Sequence, residues 1–351
     1  MIPKNSDTSA PRPAAAAEDG PVVRVEHLSV AYGSLVAVRD VSFQVGPGEI
    51  LGLVGPNGAG KTSIAESVGG LRGPVRDGSI SVCGLDPHRD RQTASHLIGM
   101  QLQESQFPSR ARVGELCDLY EALYSAPGAA ARLLDTFGLT DRRRSLIAEL
   151  SGGMRQRLAL ALAQVGDVRL VILDELTTGL DPEQRRGTWR AVLDLAARGV
   201  AVLLTSHSME EVEALCGRVG VLRGGELVAL DSPARLASAH GGPATVSVDV
   251  DAAPGIERQF EELGLTRLTS GTDRRVAYAA SFPTDYDRVL QRLVAADLPP
   301  SAVSHRAPTF EDAYLRLVGI GIGTGTDTAG NDLAGTEKDS GTKDSSEKGG
   351  D

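Results

Sequence analysis

Between Ile50 and Gly70 the chain runs Ile50-Leu51-Gly52-Leu53-Val54, then Gly55-Pro56-Asn57-Gly58-Ala59-Gly60-Lys61-Thr62, then a stretch of helical character ending at Gly69-Gly70. An apolar strand, a glycine-rich turn and a helix in that order admit few architectures. Similar apolar runs recur at Val22-Val23-Arg24-Val25, Leu170-Val171-Ile172-Leu173 and Val200-Ala201-Val202-Leu203-Leu204. Strands of this kind, alternating with helical segments, imply a sheet covered on both faces and an α/β class. The turn also carries chemistry. Its spacing, G-x-x-x-x-G-K-[ST], lets backbone N–H groups point into one concavity around phosphate oxygens, and the helix N-terminus adds partial positive charge. Lys61 then reaches the terminal phosphates, Thr62 offers a hydroxyl to Mg²⁺, and Ser63 completes the nucleotide-binding stretch.

Residue usage isolates Lys61 further. Of 36 basic residues only five are lysines, and Lys4, Lys338, Lys343 and Lys348 lie near the two ends. The chain uses arginine throughout its body except where a compact ammonium on a flexible stem must sit between phosphates.

The bulk numbers set limits. A 351-residue chain with 41% hydrophobic residues has room for one substantial core and an appended unit. No apolar run approaches the roughly 18 residues that span a bilayer. The formal net charge of -10 argues against a grip on nucleic-acid phosphates, so no nucleic acid is expected as a partner. Cys83, Cys117 and Cys216 show no paired spacing, which suits a reducing compartment. Residues 1–20 lack the apolar stretch of a secretory signal and are expected to be a disordered leader. Residues 320–351 carry seven acidic and three basic residues with almost nothing apolar, and are expected to be a disordered acidic tail. Between them, residues 21–240 form the main domain, with a helical subdomain at about 95–165. Residues 243–319 read as a small α+β domain, whose last helix starts at Thr309 with Asp312 three positions on.

Two further stretches carry chemistry. Leu170-Val171-Ile172-Leu173-Asp174-Glu175 is an apolar strand ending in adjacent carboxylates at the edge where ligands bind in such sheets. Asp174 is suited to holding Mg²⁺, Glu175 to polarising an attacking water. Leu150-Ser151-Gly152-Gly153-Met154-Arg155-Gln156-Arg157 opens a long helix and makes a second anion-binding N-terminus.

This ordered set resembles the nucleotide-binding subunit of ABC transporters over roughly Val22 to Ala239. The resemblance implies a P-loop NTPase fold of ABC type, that is, a mixed sheet with helices, an antiparallel subdomain and a helical subdomain, followed by the small α+β domain. It implies ATP and Mg²⁺ as ligands, with Ser151, Gly152 and Gly153 of one chain completing the site of a second in a head-to-tail homodimer or with an equivalent second subunit. By the same resemblance Tyr32 stacks on adenine, with a half-buried strand tyrosine as the alternative. Gln103 senses Mg²⁺ and the attacking water, with Gln101 as an offset competitor. His207 contacts the γ-phosphate, and Asp181 communicates across the dimer. Leu176 stands where proline usually follows the two carboxylates, and Met154-Arg155 are frequent in the branch of drug, antibiotic and polysaccharide exporters, which also has a motif like Pro308-Thr309-Phe310-Glu311-Asp312-Ala313-Tyr314-Leu315.

The function so implied is ATP hydrolysis that powers a separate integral-membrane permease, with the chain cytoplasmic and peripheral at the inner face of the membrane. A soluble ABC ATPase working on ribosomes or DNA is the alternative. It typically has two nucleotide units in one chain or a long coiled-coil insertion. In protein trimmed of residues 1–20 and 320–351, labelling by a lysine-selective reagent is expected at Lys61 alone, read by peptide mapping, and Mg-ATP at saturation is expected to block it.

Overall fold

The computed structural model describes residues 20–72, 76–102, 107–177, 180–249, 258, 260, 262–267, 275–280, 284–295 and 303–319. In chain order the first half comprises β1 (Val23–Tyr32), β2 (Leu35–Val45), β3 (Ile50–Val54), α1 (Lys61–Val68), β4 (Asp77–Val82), α2 (Arg91–Ala94), β5 (Ile98–Gln101), α3 (Val113–Leu123), α4 (Ala129–Thr136) and α5 (Gly152–Leu162). There follow β6 (Leu170–Asp174), α6 (Pro182–Ala197), β7 (Ala201–Thr205), α7 (Met209–Leu215), β8 (Arg218–Arg223), β9 (Glu226–Asp231) and α8 (Pro233–His240). The C-terminal part has β10 (Ala244–Asp249), β11 (Thr266–Arg267), β12 (Arg275–Ala280), α9 (Thr284–Ala295), β13 (Val303–Arg306) and α10 (Phe310–Val318).

The strands form three sheets. The main one has the order β5-β6-β7-β3-β8-β9, parallel except for β9. An antiparallel sheet β2-β1-β4 and a four-stranded antiparallel sheet β11-β12-β10-β13 complete the set. The unbroken apolar character of β6 and β7 has a simple origin. Leu170, Ile172, Ala201 and Leu203 enter one core, while Val171, Leu173, Val202 and Leu204 enter the other, so every residue of these strands meets protein. The first core also holds Val23, Val25, Phe43 and the buried face of α1, Ile64, Ala65 and Val68. Helix α1 is thus wedged between the main sheet and the antiparallel sheet. The second core holds Leu116 and Cys117 of α3, Leu134 of α4 and Leu158 and Leu162 of α5. Strand β5 pairs with β6, so the helices between 113 and 162 pack beside the main sheet rather than replacing its edge. Among the described residues, no helix is long and apolar enough to cross a membrane.

The C-terminal sheet has its own core of Val246, Phe260, Val276, Tyr278 and Val289, with Phe260 and Tyr278 edge to face at 5.0 Å between centroids. Helix α10 behaves differently. Its capping box is as expected, Thr309 Oγ1 accepting from Asp312 N at 3.2 Å and Asp312 Oδ2 accepting from Thr309 N at 2.9 Å. Its apolar side, however, joins the second core. Phe310 and Ala313 are buried with Leu236 of α8, and Arg223 of β8 donates to Leu317 O at 2.8 Å at the helix end. The chain leaves the main body after α8, builds the small sheet and returns. Phe310→Ala is therefore expected to cost about 3–5 kcal/mol of unfolding free energy in the nucleotide-binding body itself, measured by denaturant titration of the intact chain.

Candidate active site

The loop between β3 and α1 is set by two close backbone approaches. A Cβ at Gly55 would lie 2.5 Å from Leu222 O, and one at Gly60 2.7 Å from Ala37 O, with Gly60 at φ +102°. Only glycine fits either place. Within the loop Ala59 N donates to Pro56 O at 3.1 Å and Ile64 N to Gly60 O at 3.0 Å, which closes the turn onto the helix start. No side chain caps α1, so the N–H groups of its first turn face the loop's concavity. Thr62 is exposed at that turn and Ser63 half-buried. Lys61 is 8% exposed, and its Nζ donates to Gly55 O at 2.7 Å and Pro56 O at 3.2 Å. Burial lowers its pKa from the ordinary lysine value, while the charges of Glu175 and then Asp174 oppose that shift.

Those carboxylates come from the next-but-one strand of the sheet. The register pairs Asp174 with Thr205, and Thr205 Oγ1 donates to Asp174 Oδ1. Asp174 is 4% exposed, and burial raises its pKa. The Thr205 hydrogen bond opposes that rise, Glu175 and Glu66 add to it, and Lys61 offsets it least. Glu175 leaves the strand with φ +52°, a left-handed conformation that costs a non-glycine residue energy and is found where a site requires it. Its N–H donates to Thr205 O at 3.0 Å, and its Oε1 lies 3.5 Å from His207 Nδ1.

Tyr32 ends β1 at 37% exposure, its hydroxyl donating to Ser63 Oγ at 3.0 Å. Arg72 sits over its ring at 5.1 Å from the centroid, held there by Glu66. The tyrosine is thus tied to the first turn of α1 rather than buried as an ordinary strand residue. Ser151 caps α5, its Oγ accepting from Met154 N at 3.2 Å, and Asp181 caps α6, its Oδ1 accepting from Gln184 N at 2.9 Å. The two helix starts meet, since a Cβ on Gly153 would sit 1.9 Å from Gln184 Oε1. Gln103 lies outside the described residues. Gln101 ends β5 and is 5% exposed. Leu176, in place of the usual proline, is fully buried in the second core.

The family model for ABC transporters matches residues 38–178, which span the loop, β6 and its two carboxylates. Over 310 residues the chain is 35% identical to the Nod factor export ATP-binding protein I of Paraburkholderia xenovorans, covering 85% of this chain and 97% of that protein. The chain belongs to the ABC transporter ATP-binding family. The linearmycin resistance ATP-binding protein LnrL of Bacillus subtilis is 30% identical over 312 residues, covering 85% and 98%. A solved ATP binding subunit of an ABC transporter superposes with a TM-score of 0.56 at 24% identity, covering 76% of this chain and 99% of that one. As an ABC ATPase, this chain binds and hydrolyses ATP to power a transporter.

Sequence reasoning missed Thr205, Gln184 and Arg72. Thr205 had a signal, being the one polar residue closing an otherwise apolar strand opposite Asp174. Gln184 and Arg72 had none, because their contacts depend on how separate elements pack. The electrostatics of Asp174 give a test. With its folded pKa raised, the ionised carboxylate destabilises the fold. That cost is absent when both states are protonated, grows as pH rises above the unfolded pKa and is complete once pH has passed the folded pKa. Asp174→Asn is therefore expected to raise the thermal midpoint at pH 7 by about 2–4 °C. The gain should fade as pH falls toward about 4, while ATP turnover is lost.

Proposed function

We propose that two copies of this chain, or one copy and an equivalent subunit, close head to tail around two ATP molecules and reopen on hydrolysis. In this reading Gly55, Pro56, Asn57, Gly58, Ala59 and Gly60 wrap the β- and γ-phosphates, Lys61 neutralises their charge, and Tyr32 stacks on adenine. Glu175 orients water for in-line attack, His207 contacts the γ-phosphate, and the partner subunit's Ser151 and Gly153 stabilise the developing charge. Asp181 carries the state of one site to the other. The observation that bears most weight is the Glu175–His207 separation of 3.5 Å beside a buried Lys61–Asp174 pair of charges. It supports a base and a phosphate-sensing group acting on the same oxygen.

Thr62 and Asp174 suit Mg²⁺, since one carboxylate and one hydroxyl leave the remaining positions to phosphate oxygens and water, the donor set this ion prefers. Among the described residues no group of three or more His, Cys, Asp or Glu offers an all-protein cage. When bound, the ion would neutralise charge on the β- and γ-phosphates, with Gln103 as a further ligand. We assign the chain to the cytoplasm at the inner face of the membrane, docked on a separate permease. The named relatives support export, of a drug, antibiotic or similar molecule, with the permease selecting it.

The contribution of Glu175 should be about 10²–10⁴-fold, as for a positioned base. Glu175→Gln is expected to keep ATP affinity, lose turnover by that factor and accumulate an ATP-bound dimer seen by size-exclusion chromatography. Wild-type turnover in this variant would overturn the assignment.

A further inference from the structure

Helix α7 opens with Ser208-Met209-Glu210-Glu211, a serine followed three residues later by a glutamate, the spacing of a capping box. Half of the box forms, Ser208 Oγ accepting from Glu211 N at 3.3 Å. The other half does not. The carboxylate that should turn back to the Ser208 N–H points inward instead, and that N–H donates to Ser206 Oγ at 3.0 Å. The box at Thr309 and Asp312, by comparison, is complete. A helix cap therefore does not account for Glu211.

Its residue is 1% exposed, and the groups hydrogen-bonded to its side chain are neutral donors. Ser206 Oγ donates to Oε2 at 2.6 Å, while Thr177 Oγ1 and Trp189 Nε1 donate to Oε1 at 2.7 and 3.4 Å. These donors stand on three separate segments. Ser206 immediately precedes His207, Thr177 follows Glu175 by two residues, and Trp189 belongs to α6, the helix that Asp181 caps. A buried carboxylate is tolerated when several donors satisfy it, and removing it leaves each of them unpaired. Glu175, His207 and Glu211 also line one cavity of about 160 Å³.

We propose that Glu211 is a positioning residue for ATP hydrolysis, one that holds Glu175 and His207 at their working separation by tying together the backbone that carries each. It acts through His207 and the turn after Glu175. The proposal rests on the roles given to those two residues above.

The test compares Glu211→Ala, His207→Ala and the double variant in the full-length chain, by steady-state ATP hydrolysis. Glu211→Ala is expected to lower kcat by about tenfold or more with KM within about threefold of wild type, and the double variant to be no slower than His207→Ala within about threefold, the non-additivity of residues acting as one unit. Glu211→Gln, which keeps one acceptor oxygen, should recover part of the loss. Far-ultraviolet circular dichroism and the thermal midpoint check that each variant is folded. Should Glu211→Ala not fold, Thr177→Val keeps the carboxylate, removes one tie and should give a several-fold fall in kcat that is likewise non-additive with His207→Ala. Wild-type kcat in the folded variant, or losses that multiply in the double variant, would overturn the proposal alone. A His207→Ala enzyme with normal turnover would overturn it together with the role of His207.

Discussion

The arrangement depends on one close contact between backbones. Gly60 brings the end of the phosphate loop against Ala37 O in the antiparallel sheet, and Gly55 brings its beginning against Leu222 O in β8. Between those points the loop has little freedom, and α1 must follow in the gap between two sheets. Its buried face, Ile64, Ala65 and Val68, then fills the core they share. The cost of ordering glycines, among the most flexible residues, is offset by apolar burial on both sides of the helix. Position and rigidity of the loop thus come from packing some distance from the phosphates.

The same geometry explains why Asp174 and Lys61 are buried at a price in stability. Register in the main sheet sets Asp174 opposite Thr205, and β3 lies on the far side of β7, so the charge of the loop's lysine acts on it. Neither group is at its most stable there. Burial shifts both toward their neutral forms, and each offsets part of the other's cost. Sites that must receive a charged ligand commonly keep such groups under-compensated, since a fully satisfied pair has nothing left to offer it.

Much of this was legible in the residues, and the boundary of legibility is physical. The loop, the apolar strands and Asp174-Glu175 could be read because their properties are local: glycine spacing, β-branched runs, a strand's last residue. The capping box at Thr309 was equally local. Where α10 would bury Phe310 and Ala313 was not, because an amphipathic helix fits any apolar surface offered, and the nearest in sequence was the small sheet rather than α8. The left-handed Glu175 was hidden for a similar reason. Glutamate has no preference for positive φ, so that conformation is imposed by the bond from its N–H to Thr205 O and by the packing of Leu176 behind it. Glu211 stands at capping-box spacing from Ser208, and only the fold diverts its carboxylate to Ser206 and Thr177.

Capping also bears on why, in the proposed function, one helix start and not another receives the phosphates. Of the helices that follow strands of the main sheet, α6, α7 and α8 open with Asp181, Ser208 and Ser232, each accepting from its own first turn. Their N–H groups are partly committed, and at α6 a carboxylate stands where an anion would have to approach. Helix α3, after β5, opens with Arg112, whose N–H donates to Glu115 Oε2 at 2.8 Å, so a carboxylate stands there too. Helix α1 opens with glycine and has no side-chain cap. Its first-turn N–H groups, with Lys61 among them, remain for an external anion. Ser151 at the start of α5 is an intermediate case. Its oxygen accepts from Met154 N while its own O–H is available to donate, so this helix start can remain stable in the isolated chain and still hydrogen-bond a phosphate brought to it from outside. The division between an uncapped site and a capped but donating one suits the proposed two-sided nucleotide sandwich, in which one wall would hold the phosphates and the other close on them.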